Sequence, residues 1–223
     1  MRFLVLLVGV ALFVVAGPVL LLPAVAGDAD ACVKATGDEK IDACTRAINS
    51  GVWKGPKLAW AYTNRGTAYR AKGEPDRAIA DYDKAIWLNP KFADAYNGRG
   101  NAYDDRGDRD RAIADFDQAL SLNPNYADAY NNRGVAYRAK GQPDRAISDY
   151  DQAIRLNPNF AMAFYNRGIA YYIQKDYDRA IADYDQAIHF NPNNDHAYNN
   201  LALAKRARGD SAGSDADLVK AKQ

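Results

Sequence analysis

The chain has 223 residues, with 29 Lys and Arg against 28 Asp and Glu, two cysteines and two histidines. A charge this balanced offers no electrostatic footprint for nucleic acid. His189 and His196 are the only histidines, and no H-E-x-x-H, G-x-S-x-G or P-loop pattern occurs, so the sequence predicts no catalytic residue, no metal site and no cofactor.

Residues Phe3 to Leu22 are nearly all apolar, with Arg2 ahead of them, and Ala24-Val25-Ala26 then offers an A-x-A cleavage site. That order predicts a secretory signal peptide over 1–26, with Gly27 as the mature start. Twenty apolar residues also suffice to span a bilayer, so a retained anchor facing the periplasm is the alternative. Both readings place the remainder outside the cytoplasm, in a bacterial periplasm. The chain meets a membrane only if the segment is retained.

Residues 27–56 read as an N-terminal helical cap. Ile41, Cys44 and Ile48 share one helical face, with a short helix around Cys32 before them and Gly37 in the turn. Two cysteines in an exported chain predict one disulfide, Cys32 to Cys44. A metal site or a catalytic thiol would need a neighbouring His or a further Cys. Trp53 lies in the link that follows and is expected to pack on the cap.

The next stretch, Ala59 to Pro90, comes back three more times almost unchanged. Pro90, Pro124, Pro158 and Pro192 each close an L-N-P or F-N-P tripeptide, and each step is 34 residues. The spacing predicts one helix over Ala59 to Lys72 and a second over Pro75 to Leu88. Gly73 suits a left-handed position after the first helix, and Pro75 suits the first turn of the second. Repeat four has Lys175 and Tyr177 there, so its turn is made without glycine. Tyr62, Gly66 and Tyr69 fall on one face of the first helix, and Ala78, Tyr82 and Ala85 on one face of the second. Rings facing Gly and Ala permit close packing.

Read as Tyr62-x2-Arg65-Gly66-x2-Tyr69, Ala78-x3-Tyr82 and Pro90, the unit resembles the tetratricopeptide repeat. The match recurs in register at Tyr96 to Pro124, Tyr130 to Pro158 and Phe164 to Pro192. The resemblance implies an all-α fold, a right-handed superhelical solenoid of helix–turn–helix repeats, with four repeats over 57–192. Residues 193–223 restart the pattern and let it decay. Tyr198 and Leu201-Ala202 keep it, Lys205 replaces the second Tyr, and the last helix is reduced to Asp215 through Lys222 around Leu218. A polar final unit is expected where stacking stops.

One departure is systematic. The apolar residue before the Gly is Arg65, Arg99, Arg133 or Arg167, and each second helix offers a pair of aspartates such as Asp81 and Asp83. A feature present in every unit is expected to be a structural ion-pair ladder.

The resemblance further implies a non-catalytic scaffold that binds a protein or peptide, of unidentified sequence, in a groove lined by the first helices. Membership in an envelope assembly and self-association are the alternatives. Function is then sought in the positions that vary between repeats. The groove face of the first helix carries Trp60, Asn64 and Arg70 in repeat one, and Asn97 and Asn101 among Asp94, Asp104 and Asp105 in repeat two. Repeat three presents Asn131 and Arg138, and repeat four Met162, Tyr165, Ile169, Tyr172 and Ile173. The fourth is apolar on both sides, so it is expected to be covered or to bind something. Aspartates interrupt the arginines of this face, which argues against a clamp for an acidic peptide end and for a partner with basic character near repeat two.

Overall fold

The structure is a computed structural model and describes residues 23–210 and residue 214. The apolar segment up to residue 22 and the last expected helix, Asp215 to Lys222, lie outside the described residues. Every regular element described is helical. The first hairpin pairs α1 (Pro23–Lys34) with α2 (Gly37–Asn49), and a 3₁₀ turn, Gly55–Leu58, leads on from it. The four repeats follow as α3 (Ala59–Ala71) with α4 (Pro75–Leu88), α5 (Ala93–Asp105) with α6 (Arg109–Leu122), α7 (Ala127–Ala139) with α8 (Pro143–Leu156), and α9 (Ala161–Ile173) with α10 (Tyr177–Phe190). Helix α11 (Asp195–Arg208) closes the series and ends at a left-handed Gly209. No described helix is long and apolar enough to cross a membrane.

Each helix packs on its neighbours in sequence. The first helices of successive units also touch one another, α1 to α3, α3 to α5, α5 to α7, α7 to α9 and α9 to α11, whereas no two second helices make comparable contact among the described residues. The first helices therefore form the inner wall of a curved stack. The α1–α2 hairpin behaves as a further unit of the same kind.

Within a repeat, a ring from the second helix lies against the glycine of the first. A Cβ on Gly66 would stand 3.1 Å from Tyr82, and on Gly100, Gly134 and Gly168 it would stand 2.7, 2.6 and 2.8 Å from Phe116, Tyr150 and Tyr184. These rings are fully buried. A side chain larger than hydrogen at those positions would push the helices apart, which is why the pattern keeps Gly there.

Between repeats, the arginine ladder is realised. Arg99 binds Asp115 of its own repeat through Nε and Nη2 at 2.8 and 2.7 Å, and Asp83 of the preceding repeat through Nη1 at 2.6 Å. Arg65 makes the same bidentate pair with Asp81, but its third contact is the Thr45 hydroxyl at 3.0 Å, which ties α2 to the first repeat. A fork that matches a carboxylate in two parallel bonds fixes orientation as well as charge. The Cys32–Cys44 disulfide is present and fully buried between α1 and α2. Trp53 meets Trp60 edge to face at 5.3 Å.

Candidate functional site

The inner wall has three zones, and the residues between them decide what each can do. Its floor is an amide ladder. The Asn132 amide donates to Asn97 Oδ1 at 3.1 Å, Asn166 donates to Asn131 Oδ1 at 2.9 Å, and Asn200 donates to the Tyr165 hydroxyl at 3.1 Å. Each step spans 35 residues and therefore joins neighbouring repeats. Asn97, Asn131 and Asn166 are buried, so their amides hold the stack and present little to a ligand. The ladder stops in repeat one. Gly98 stands where an Asn would reach back to Thr63, and the buried Thr63 hydroxyl has no partner. Tyr82 explains the glycine: any Cβ at residue 98 would run into its ring, whose hydroxyl reaches Thr67 at 3.1 Å.

Repeats one to three form a charged zone. Arg70 pairs with Asp105 across the repeat boundary at 2.7 Å. Asp104 lies half-buried beside them, with one oxygen lacking any hydrogen-bond donor and Arg109 Nε 3.9 Å away. Burial raises its carboxyl above the ordinary range, against the pull of Arg109 and with Asp105 adding to the rise. Arg138 is half-buried in the next repeat, its Nε also without a partner. The neighbouring Tyr150 phenol is pushed up to about 12 by burial. Asp94 and Asp128 stand exposed at the start of α5 and α7, and Asn101 is half-buried between Asp94 and Asp104 in sequence.

The third zone is apolar. Ile169 and Tyr172 of α9, Tyr184 of α10, and Asn200 and Leu203 of α11 line a cavity of about 130 Å³. Tyr184 reaches it because its ring passes Gly168. Of its lining Leu203 is about half exposed, as are Met162 and Ile173 elsewhere on α9. Tyr165 belongs to the wall, packed on Tyr184 at 6.1 Å and held by Asn200. Asn64 is turned back onto the Trp60 carbonyl at 2.9 Å.

The sequence thus marked the α9 strip but not the two residues that turn it into a pocket. Leu203 occupies the register of Ile169, 34 residues on, and that spacing was the available signal. Tyr184 carried no such signal, since the same ring position is structural in every repeat.

Sequence profiles of the tetratricopeptide repeat match residues 59–92, 100–141, 133–195 and 175–214. The chain belongs to the tetratricopeptide repeat family, and fold and family are those of protein-interaction scaffolds. Among curated proteins none matches the sequence. Of solved structures, MamA is 29% identical with a TM-score of 0.63, over 70% of this chain and 92% of that one. YrrB, described as a TPR protein with an unusual peptide-binding site, is 25% identical with a TM-score of 0.60, over 81% and 91%. A chain of the APC/C hetero-tetramer Cut9–Hcn1 is 20% identical with a TM-score of 0.75, over 82% of this chain and 36% of that one, a likeness of fold alone.

Proposed function

We propose that the chain is a non-catalytic docking scaffold outside the cytoplasm that takes an extended partner segment along its inner wall. An apolar side chain of that segment sits between α9 and α11, and a basic side chain faces Asp104. One observation carries this reading: the wall is spent on its own hydrogen bonds along the amide ladder but left open and apolar at Ile169, Tyr172 and Leu203. Aromatic and aliphatic pockets beside fixed charges are what anchor residues of a partner use. The aspartates of the charged zone, with one oxygen of Asp104 still short of a donor, favour a basic neighbour over an acidic one. A buried disulfide and the A-x-A-terminated apolar segment support export. Likeness to a peptide-binding TPR protein of known structure agrees with it.

Selection of a displayed random-peptide library on the full chain tests the groove. Enriched peptides should combine an aromatic or branched apolar residue with Lys or Arg, and Leu203→Asp should weaken them tenfold or more. Leu203 is half exposed, so the substitution spares the fold. Equal binding by Leu203→Asp, or enrichment of acidic peptides, would overturn the reading. The mature N-terminus, read by mass spectrometry, tests the location: a start at Gly27 supports export with cleavage, and a retained Met1 supports the anchor.

A further inference from the structure

Repeats this alike make their departures stand out. Residues 57 and 91 hold the same place in successive repeats and both are lysine, whereas the next three equivalents are Asn125, Asn159 and Asn193. Lys84 is followed in register by Gln118, Gln152 and Gln186, and Trp87 by Ser121, Arg155 and His189. Lysine and tryptophan gather at the N-terminal end.

The topology places them together. First helices start and second helices end on one edge of the stack. Arg46, in the last turn of α2, holds Asp28 near the start of α1 at 2.7 Å. Lys54 lies in the link that leaves this edge, and the 3₁₀ turn containing Lys57 packs on α4. Ala59 at the head of α3 packs with Ala85 and Leu88 near the end of α4, and Lys91 follows it. Trp87, in the last turn of α4, is 71% exposed, with Lys84 Nζ 4.0 Å from its ring centre. Lys54, Lys57, Lys84 and Lys91 are exposed, and none has a carboxylate partner among the described residues.

We propose that this edge rests on an anionic lipid bilayer, with Trp87 at headgroup depth and the four lysines against lipid phosphates. An indole is favoured at that depth because its body is apolar and its N–H is polar. Lysines extend their stems along apolar surface and keep the ammonium among the headgroups. The apolar segment selects this occupant over an acidic polypeptide. It ends at Leu22, immediately before α1, and α1 begins on the same edge. A chain attached to a membrane there, or newly released from one, presents this edge first. The site is separate from the inner wall, since Trp87 lies on a second helix.

The test uses the full chain with vesicles of phosphatidylcholine, alone or mixed with phosphatidylglycerol, brominated in the acyl chains to quench tryptophan emission. Quenching should be strong only with phosphatidylglycerol and should fall several-fold in Trp87→Ser. Replacing Lys54, Lys57, Lys84 and Lys91 by Gln should remove the dependence on anionic lipid, with the thermal melt unchanged. Wild type and Trp87→Ser compared on the same vesicles read the edge itself, since an inserted apolar segment would carry both chains to the bilayer equally. Equal quenching in wild type and Trp87→Ser, or quenching unaffected by lipid charge, would overturn the proposal. So would lysine-dependent binding of polyglutamate without lipid quenching, which would make the edge a site for an acidic polypeptide.

Discussion

Arg133 and Asp149 meet fork to fork, Nε 2.8 Å from Oδ2 and Nη2 2.6 Å from Oδ1, while Nη1 of the same guanidinium reaches Asp117 of the preceding repeat at 2.6 Å. One side chain thereby closes its own hairpin and fastens it to the one before it. The pairing with Asp149 raises the Arg133 pKa despite burial, so the charge is permanent. Asp149 is only 4% exposed, and removing the arginine strands a buried carboxylate. Arg133→Leu should cost roughly 3–5 kcal/mol in denaturant unfolding, and adding Asp149→Leu should recover most of it. A single-mutant cost below about 1 kcal/mol would reduce the pair to an ordinary surface contact.

Asp104 gives a pH dependence of definite sign. Its folded-state pKa is raised by burial from 3.8. The charged form therefore disfavours the native state above that raised value, and the penalty fades as pH falls through it. Asp104→Asn should melt higher than wild type at pH 7, and the advantage should shrink on acidification and vanish below pH 3.8. The same substitution should weaken basic peptides. A lower melting temperature at pH 7 would contradict this.

Lys175 takes φ +63°, the left-handed conformation that Gly73, Gly107 and Gly141 take in the other turns. Lysine pays a steric penalty there that glycine does not. Lys175→Gly should stabilise the chain by roughly 1 kcal/mol, and Lys175→Ala should not. Denaturation midpoints of the two variants decide it.

The disulfide closes a loop between residues 12 apart. Replacing Cys32 and Cys44 by Ser should cost roughly 2–4 kcal/mol. Because each unit of a solenoid leans only on its neighbours, the loss should be local. Hydrogen exchange should speed up in α1 and α2 and remain unchanged in α7 to α10. A uniform loss of protection would show that the stack unfolds as one body.

The fold was legible because the 34-residue period, the Gly–ring pairs and the turn residues all recur, so each repeat checks the others. The arginine ladder was legible for the same reason, down to both aspartates. The amide ladder was not. Asn97 and Asn131 lie on the groove side of their helices, and one-helix geometry cannot show that Asn132 and Asn166 reach across to them. Its signal was a step of 35 residues, one beyond the repeat. Trp87 was passed over because a single helix does not reveal which edge of the stack it shares with Lys54 and Lys57.

The most direct test of docking on the inner wall is photo-crosslinking of a library-selected peptide to the full chain. A benzophenone amino acid is placed in turn at Met162, Ile173, Gln152 and Arg155. Adducts should form from positions 162 and 173 of the inner wall and not from 152 and 155 of α8. Equal labelling from α8, or adducts from α8 alone, would contradict docking in the groove.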